Sequence, residues 1–179
     1  MKNPKKISEK IVLNNWFRKI ISKNFEDKNW KKSNFLITSN SKITKSVVIL
    51  VLTENNEILY IKNFVYWIEE EIISFPMWWI EKKDSKIKTV KKELKEETWY
   101  NSDEIIFLFE GIVSYYEDTK IFHYIAKNCK IWKQNLESTE FIEVKKTSIK
   151  NFKKMILDWK VKCPLTISCF YFAKGKWLI

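Results

Sequence analysis

Two glycines, Gly111 and Gly175, stand against nine tryptophans in this chain of 179 residues. Average usage near 7% would supply roughly a dozen glycines at this length. A globular fold needs glycine where the backbone takes positive φ or passes close to a ligand. The chain therefore either lacks such positions or fills them with another residue, and tryptophan is the residue in excess. Trp30, Trp67, Trp132 and Trp159 all lie in turn-like surroundings where glycine would be ordinary, as in Asp27-Lys-Asn-Trp and Leu157-Asp-Trp. Trp16, in Asn15-Trp-Phe-Arg, has the surroundings of a normal strand residue.

The length suits one domain with a full core, or one domain with a short appendage. The longest apolar run, Ser46 to Thr53, is far too short to span a bilayer and reads as a buried strand. The basic start at Met1 has no apolar stretch behind it, so it does not read as a secretory signal. Cys129, Cys163 and Cys169 form no close pair, which fits a reducing cytoplasm without a disulfide framework. The single histidine, His123, lies in the alternating stretch from Lys120 to Ala126 and reads as a strand residue. The net charge of +11 raises nucleic-acid binding as a possibility. Against it, Arg18 is the only arginine among 33 basic residues, and the lysines are spread along the whole chain. An AT-rich genome accounts for a composition rich in Lys, Asn and Ile.

Residues 1–45 read as a small antiparallel β-subdomain, with short apolar segments broken by polar turns. A strand at Ser46–Leu52, the turn Thr53–Glu57 and a strand at Ile58–Phe64 make a hairpin. A further run, Glu71–Pro76, leads into a loop from Met77 to Asp84. The clearest helix is Ser85–Thr98, with Ile87, Val90 and Leu94 as its apolar stripe and Asp84 or Ser85 as its cap. Glu93, Glu96 and Glu97 project from one side near its C-terminal end, where the macrodipole disfavours negative charge. Either a cation compensates them, or they form a solvated face neutralised by Lys91, Lys92 and Lys95. Strands at Ile105–Ser114 and Lys120–Ala126 flank an acidic loop, Tyr115–Thr119. A strand at Glu140–Val144 and helices at Ser148–Leu157 and Pro164–Ala173 complete an α+β sandwich.

The segment from Trp78 to Tyr100 resembles the Nudix box, G-x5-E-x7-R-E-U-x-E-E-x-G-U with U apolar. Glu93, Leu94, Glu96 and Glu97 match it, Tyr100 takes the last apolar place, and Asp84 and Lys92 are charge-preserving changes. The two glycine places hold Trp78 and Trp99. Ahead of the box, Phe75-Pro-Met-Trp-Trp-Ile-Glu is similar to the run that leads into it in the ADP-ribose pyrophosphatase branch. Trp79 there again stands where that branch has glycine. These coincidences suggest UGA codons translated as Trp from a lineage that reads UGA as glycine, which would raise glycine from 2 to about 9. Positive φ at Trp78, Trp79 and Trp99 is the expected structural mark. Taken literally, the indoles would instead form an aromatic cage for a base or sugar.

The resemblance implies a Nudix α/β/α sandwich with a mixed sheet over residues 46–179. It implies a homodimer paired through the N-terminal subdomain, working in the cytoplasm on a nucleoside diphosphate-linked small molecule. The implied reaction is hydrolysis of the pyrophosphate bond, as in ADP-ribose or an ADP-sugar. Glu93, Glu96, Glu97 and the Met77 carbonyl are the implied ligands of Mg2+, for which Mn2+ can substitute, and Lys92 would orient Glu93. Trp78, Trp79, Asp84 and Trp99 would lie in the substrate-binding loop. Glu117, then Asp118, are the candidates for general base, unless their loop is simply an exposed turn. Val65 replaces an arginine frequent in the branch. Tyr115 and Tyr116 replace a proline and are closer to dinucleoside polyphosphate hydrolases. An NTP pyrophosphohydrolase and a non-catalytic nucleotide sensor of the same fold are the other readings.

Overall fold

The computed structural model describes residues 3–15, 18–40, 44–66, 68–132 and 142–179. Trp16, Trp67 and most of the segment Asn135–Glu143 lie outside them. The chain divides into two compact units, residues 1–45 with 112–120, and residues 46–111 with 121–179.

The first unit holds the strands β1 (Lys5–Asn14), β2 (Arg18–Glu26) and β3 (Lys32–Asn40), antiparallel in the order β1-β2-β3. Ile11, Ile21 and Ile37 face one another across the three strands. The turn between β2 and β3 is tied by the Asp27 carboxylate, which accepts from the N–H groups of Asn29 at 2.8 Å and Lys31 at 2.9 Å. The loop after residue 112 pairs with β3. Thr38 N–H donates to the Tyr116 carbonyl at 2.7 Å, and Asp118 N–H donates to the Thr38 carbonyl at 3.3 Å.

The second unit is built on an eight-stranded sheet. Its strands are β4 (Lys45–Thr53), β5 (Glu57–Val65), β6 (Glu70–Ser74), β7 (Met77–Trp79), β8 (Tyr100–Asn101), β9 (Glu104–Ile112), β10 (Lys120–Ile131) and β11 (Ile142–Ser148). The central order is β11-β5-β4-β10-β8, with β6 on β5, β7 on β4 and β9 on β10. The helices are α1 (Lys86–Thr98), α2 (Ile149–Leu157) and α3 (Pro164–Gly175).

The continuous apolar run of β4 is explained by burial on both faces. Successive side chains of a strand point to opposite faces. Val47, Ile49 and Val51 pack in one cluster with Val90 and Leu94 of α1, and with Phe122, Tyr124 and Ala126 of β10. Val48, Leu50 and Leu52 pack in the other with Phe152 of α2, Phe170 of α3, and Ile121 and Ile125 of β10. One helix therefore covers one face of the sheet and two cover the other, the α+β sandwich that the resemblance implied. His123 points to the α2/α3 side, buried and stacked on Phe109 with ring centroids 3.9 Å apart.

Two expectations need correction. Part of the expected loop Met77–Asp84 is strand, because Met77, Trp78 and Trp79 pair with Val48, Val47 and Ser46. Ile87 is not on the buried stripe of α1: it is 42% exposed, while Val90 and Leu94 are fully buried. Ile87 sits in the first turn of the helix, beyond the margin of the core.

Candidate active site

Helix α1 carries the acidic cluster, and both its ends are defined locally. Ser85 caps the start, its Oγ accepting from the Lys88 N–H at 3.2 Å. Trp99 ends it in the left-handed conformation, φ 60°, with its N–H donating to the Lys95 carbonyl at 3.0 Å. Burial of Val90 and Leu94 against β4 and β10 fixes the rotation of the helix, and this carries Glu93 inward.

Glu93 is only 2% exposed. A solvated face of mixed charge is therefore excluded for this residue. Glu96, three positions on, keeps its side chain 58% exposed, and Glu97 is half-buried. The three share a side of the helix at different depths. The Lys92 ammonium lies 3.8 Å from Glu93 and 3.7 Å from Glu96. Glu96 chiefly, then Glu93, hold its proton affinity above the ordinary lysine range, with Glu81 and Asp84 adding smaller effects. Lys92 is itself largely solvated, so it compensates the buried carboxylate only in part. Asp84 pairs with Lys88 at 2.5 Å.

Strand β7 packs against α1. The Pro76 carbonyl accepts from the Ile49 N–H at 2.9 Å, and the Trp78 carbonyl accepts from Ser46 Oγ at 2.7 Å. Carbonyls alternate in direction along a strand. That of Met77, between these two, points away from β4. Trp78 and Trp79 lie in extended backbone, so the expected positive φ is found at Trp99 and not at these two.

The donors on α1 and β7 are all oxygen, the kind that hard divalent cations take. A carboxylate as buried as Glu93 is costly without a countercharge. In that sense the residues fit Mg2+ or Mn2+. Among the described residues, however, no three His, Cys, Asp or Glu side chains already converge in a cation-binding arrangement.

Glu117 and Asp118 belong to the first unit. Glu117 Oε1 accepts from Thr119 Oγ1 at 2.8 Å and lies 3.2 Å from Arg18 Nη1, in a side chain only 16% exposed. Sequence reading missed this partnership, and the one available signal was that Arg18 is the only arginine. Tyr115 and Tyr116 of the same loop are exposed. Cys129 and Cys169 are buried, which pushes both thiols up to about 12 and leaves them inert as nucleophiles. His123 belongs to no group of three His, Cys, Asp or Glu side chains able to hold a metal among the described residues, and it is a core residue, as its alternating context indicated. No helix among the described residues is long and apolar enough to cross a membrane.

No family model matches the chain. Over 114 residues it is 25% identical to the ADP-ribose pyrophosphatase of Bacillus subtilis (strain 168), a stretch covering 62% of this chain and 62% of that protein. The alignment thus spans less than two thirds of the relative's length. The fold is similar to that in a crystal structure of an ADP compounds hydrolase. The match has a TM-score of 0.81 at 14% identity and covers 99% of this chain and 95% of the other. At that identity the likeness establishes a shared Nudix-like α+β architecture.

Proposed function

We propose that this chain is a Nudix-type pyrophosphohydrolase that cleaves the pyrophosphate bond of an ADP derivative, ADP-ribose or an ADP-sugar, to AMP and a sugar phosphate. The observation that carries the reading is Glu93, a carboxylate buried on the same turns of α1 as Glu96 and Glu97. A cation shared by the three carboxylates would add to the charge compensation that a buried carboxylate needs. The similarity to an ADP-ribose pyrophosphatase and to an ADP compounds hydrolase supports the substrate class.

Glu93, Glu96, Glu97 and the Met77 carbonyl would hold Mg2+, with Mn2+ as a substitute. Such an ion neutralises diphosphate oxygens and lowers the pKa of a bound water. Lys92 would orient Glu93 and Glu96, less rigidly than a guanidinium fork would. Asp84, paired with Lys88, would fix the turn between β7 and α1. Glu117 is the general base in this reading, and Asp118 the alternative. Arg18 Nη1, 3.2 Å from Glu117 Oε1, would hold that carboxylate in one orientation. The protein works in the cytoplasm, in keeping with its free cysteines.

A homodimer through the N-terminal sheet belongs to the same proposal. Every residue of β1 is exposed, including Ile7, Ile11, Val12 and Leu13. An apolar edge strand of this length invites pairing with another chain. The active molecule in this proposal has glycine in place of Trp78, Trp79 and Trp99.

The test is incubation with MgCl2 and ADP-ribose, run on the chain as written and on the chain with glycine at those three positions. Release of AMP and ribose 5-phosphate, abolished in Glu97→Gln, is the expected result. Binding without turnover in both forms would replace the enzyme with a sensor. Turnover confined to diadenosine polyphosphates or nucleoside triphosphates would move the substrate assignment.

A further inference from the structure

Seven non-glycine residues among those described take positive φ, and four of them are tryptophan: Trp30, Trp99, Trp159 and Trp177, at 57–62°. Two of the others, Asn56 and Asn128, are of the type that tolerates this region. Neither actual glycine takes a positive φ. A β-carbon in the left-handed region crowds the following carbonyl, and a bulky side chain makes it worse.

The places are as telling as the angles. All three helices of the described residues are closed by one of these tryptophans, Trp99 as the C-cap of α1 and Trp159 and Trp177 directly after the C-caps Asp158 and Lys176 of α2 and α3. Trp99 N–H donates to the Lys95 carbonyl at 3.0 Å to close α1. After α2, Trp159 N–H donates to Ile156 at 3.1 Å and Lys160 N–H to Met155 at 2.9 Å. After α3, Trp177 N–H donates to Lys174 at 3.0 Å and Leu178 N–H to Ala173 at 3.0 Å. The last two have the nested bonding of a helix end that glycine makes at its left-handed residue. Trp30 fills the fourth place, the left-handed residue of the β2–β3 turn, with its N–H on the Asp27 carbonyl at 3.1 Å. A hairpin loop of this kind favours glycine there.

Packing does not repay the strain. Trp30, Trp159 and Trp177 are 80%, 85% and 93% exposed, so three of the largest apolar side chains are left in water.

We infer that Trp30, Trp99, Trp159 and Trp177 occupy glycine positions, and that the protein made in its own cells carries glycine there, from UGA codons read as glycine. The set reaches beyond the loop tryptophans of the functional proposal and includes Trp177, which nothing in the sequence context singles out. It rests on backbone geometry and its tests use no activity, so its failure is distinguishable from failure of the hydrolase reading, with which it shares only position 99.

Peptide mass spectrometry of the protein from its own cells is the deciding measurement, and glycine at all four positions is expected. In recombinant protein, replacing the four by glycine should raise the folded-to-unfolded ratio by roughly a factor of five or more per position. Replacement by alanine, which keeps the β-carbon, should recover less. Tryptophan in the native peptides, or a fourfold glycine variant no more stable than the chain as written, overturns the inference.

Discussion

Glu93→Gln separates a buried carboxylate that holds a cation from one that merely supports the fold. The substitution keeps shape and removes the charge from a residue 2% exposed. Its ion-pair partner Lys92 has a side chain 42% exposed, so losing Glu93 leaves no buried ammonium behind. Without metal, the variant should therefore lie within about 1 kcal/mol of the parent, unlike the 3–5 kcal/mol lost when one half of a buried pair is removed. With Mg2+ the two should diverge. At a free concentration of about 100 times Kd, a ligand that binds only the folded state adds about 2.7 kcal/mol. For a chain of this size that is roughly 5–11 °C in Tm. The assay is thermal unfolding of both proteins in EDTA and in MgCl2, with AMP release measured alongside. A parent whose Tm ignores Mg2+ and Mn2+, or a variant that gains as much as the parent, would refute Glu93 as a metal ligand.

Other expectations follow from single contacts. Ser85→Ala removes the cap of α1 and should cost about 1 kcal/mol by denaturant titration. Phe152→Ala empties a fully buried site against Tyr60, Phe75 and Phe170 and should cost about 3–5 kcal/mol. Burial lowers the His123 pKa from 6.5 to about 4, so its neutral ring favours folding fully above pH 6.5. That contribution is lost as pH falls from 6.5 towards 4, by up to about 3 kcal/mol. The stability difference between the parent and His123→Phe should change by this amount over that window and be flat above it.

The parts of the fold legible in the sequence were those written in side-chain periodicity. The apolar run of β4, the Val90 and Leu94 stripe of α1, and the alternation around His123 each point to one face or both. What escaped depends on backbone pairing and on distance along the chain. Met77, Trp78 and Trp79 show no strand pattern, because their place in the sheet comes from hydrogen bonds to β4. The helical spacing puts Glu93, Glu96 and Glu97 on one side, but only the packed rotation of α1 buries Glu93 and leaves Glu96 in water. The Arg18 to Glu117 pair joins residues 99 apart, a contact that no local pattern encodes. Trp177 escaped for a related reason: which residue follows the last helical turn depends on where α3 stops.

Position 99 is where the catalytic proposal and the glycine inference meet, and the two consequences can be separated. Trp99 N–H closes the last turn on the Lys95 carbonyl, and the left-handed conformation of Trp99 then directs its own carbonyl, which accepts from the Trp132 N–H at 2.8 Å. Lys95 in turn holds its ammonium 4.4 Å above the Trp132 ring. The turn that stops α1 is thus bonded on both sides, two residues beyond Glu97. If a tryptophan there relaxes out of the left-handed region, the Trp132 bond is lost and the last turn, which carries Glu96 and Glu97, loses its anchor and frays. Trp159 makes the corresponding turn at the end of α2, away from the carboxylates of α1. Trp99→Gly and Trp159→Gly should each stabilise by about 1–2 kcal/mol, or roughly 2–8 °C in Tm. Only Trp99→Gly should also raise hydrolysis of ADP-ribose at saturating Mg2+. Equal gains in activity from both would mean that activity follows global stability, and the end of α1 would lose its special part in holding the site.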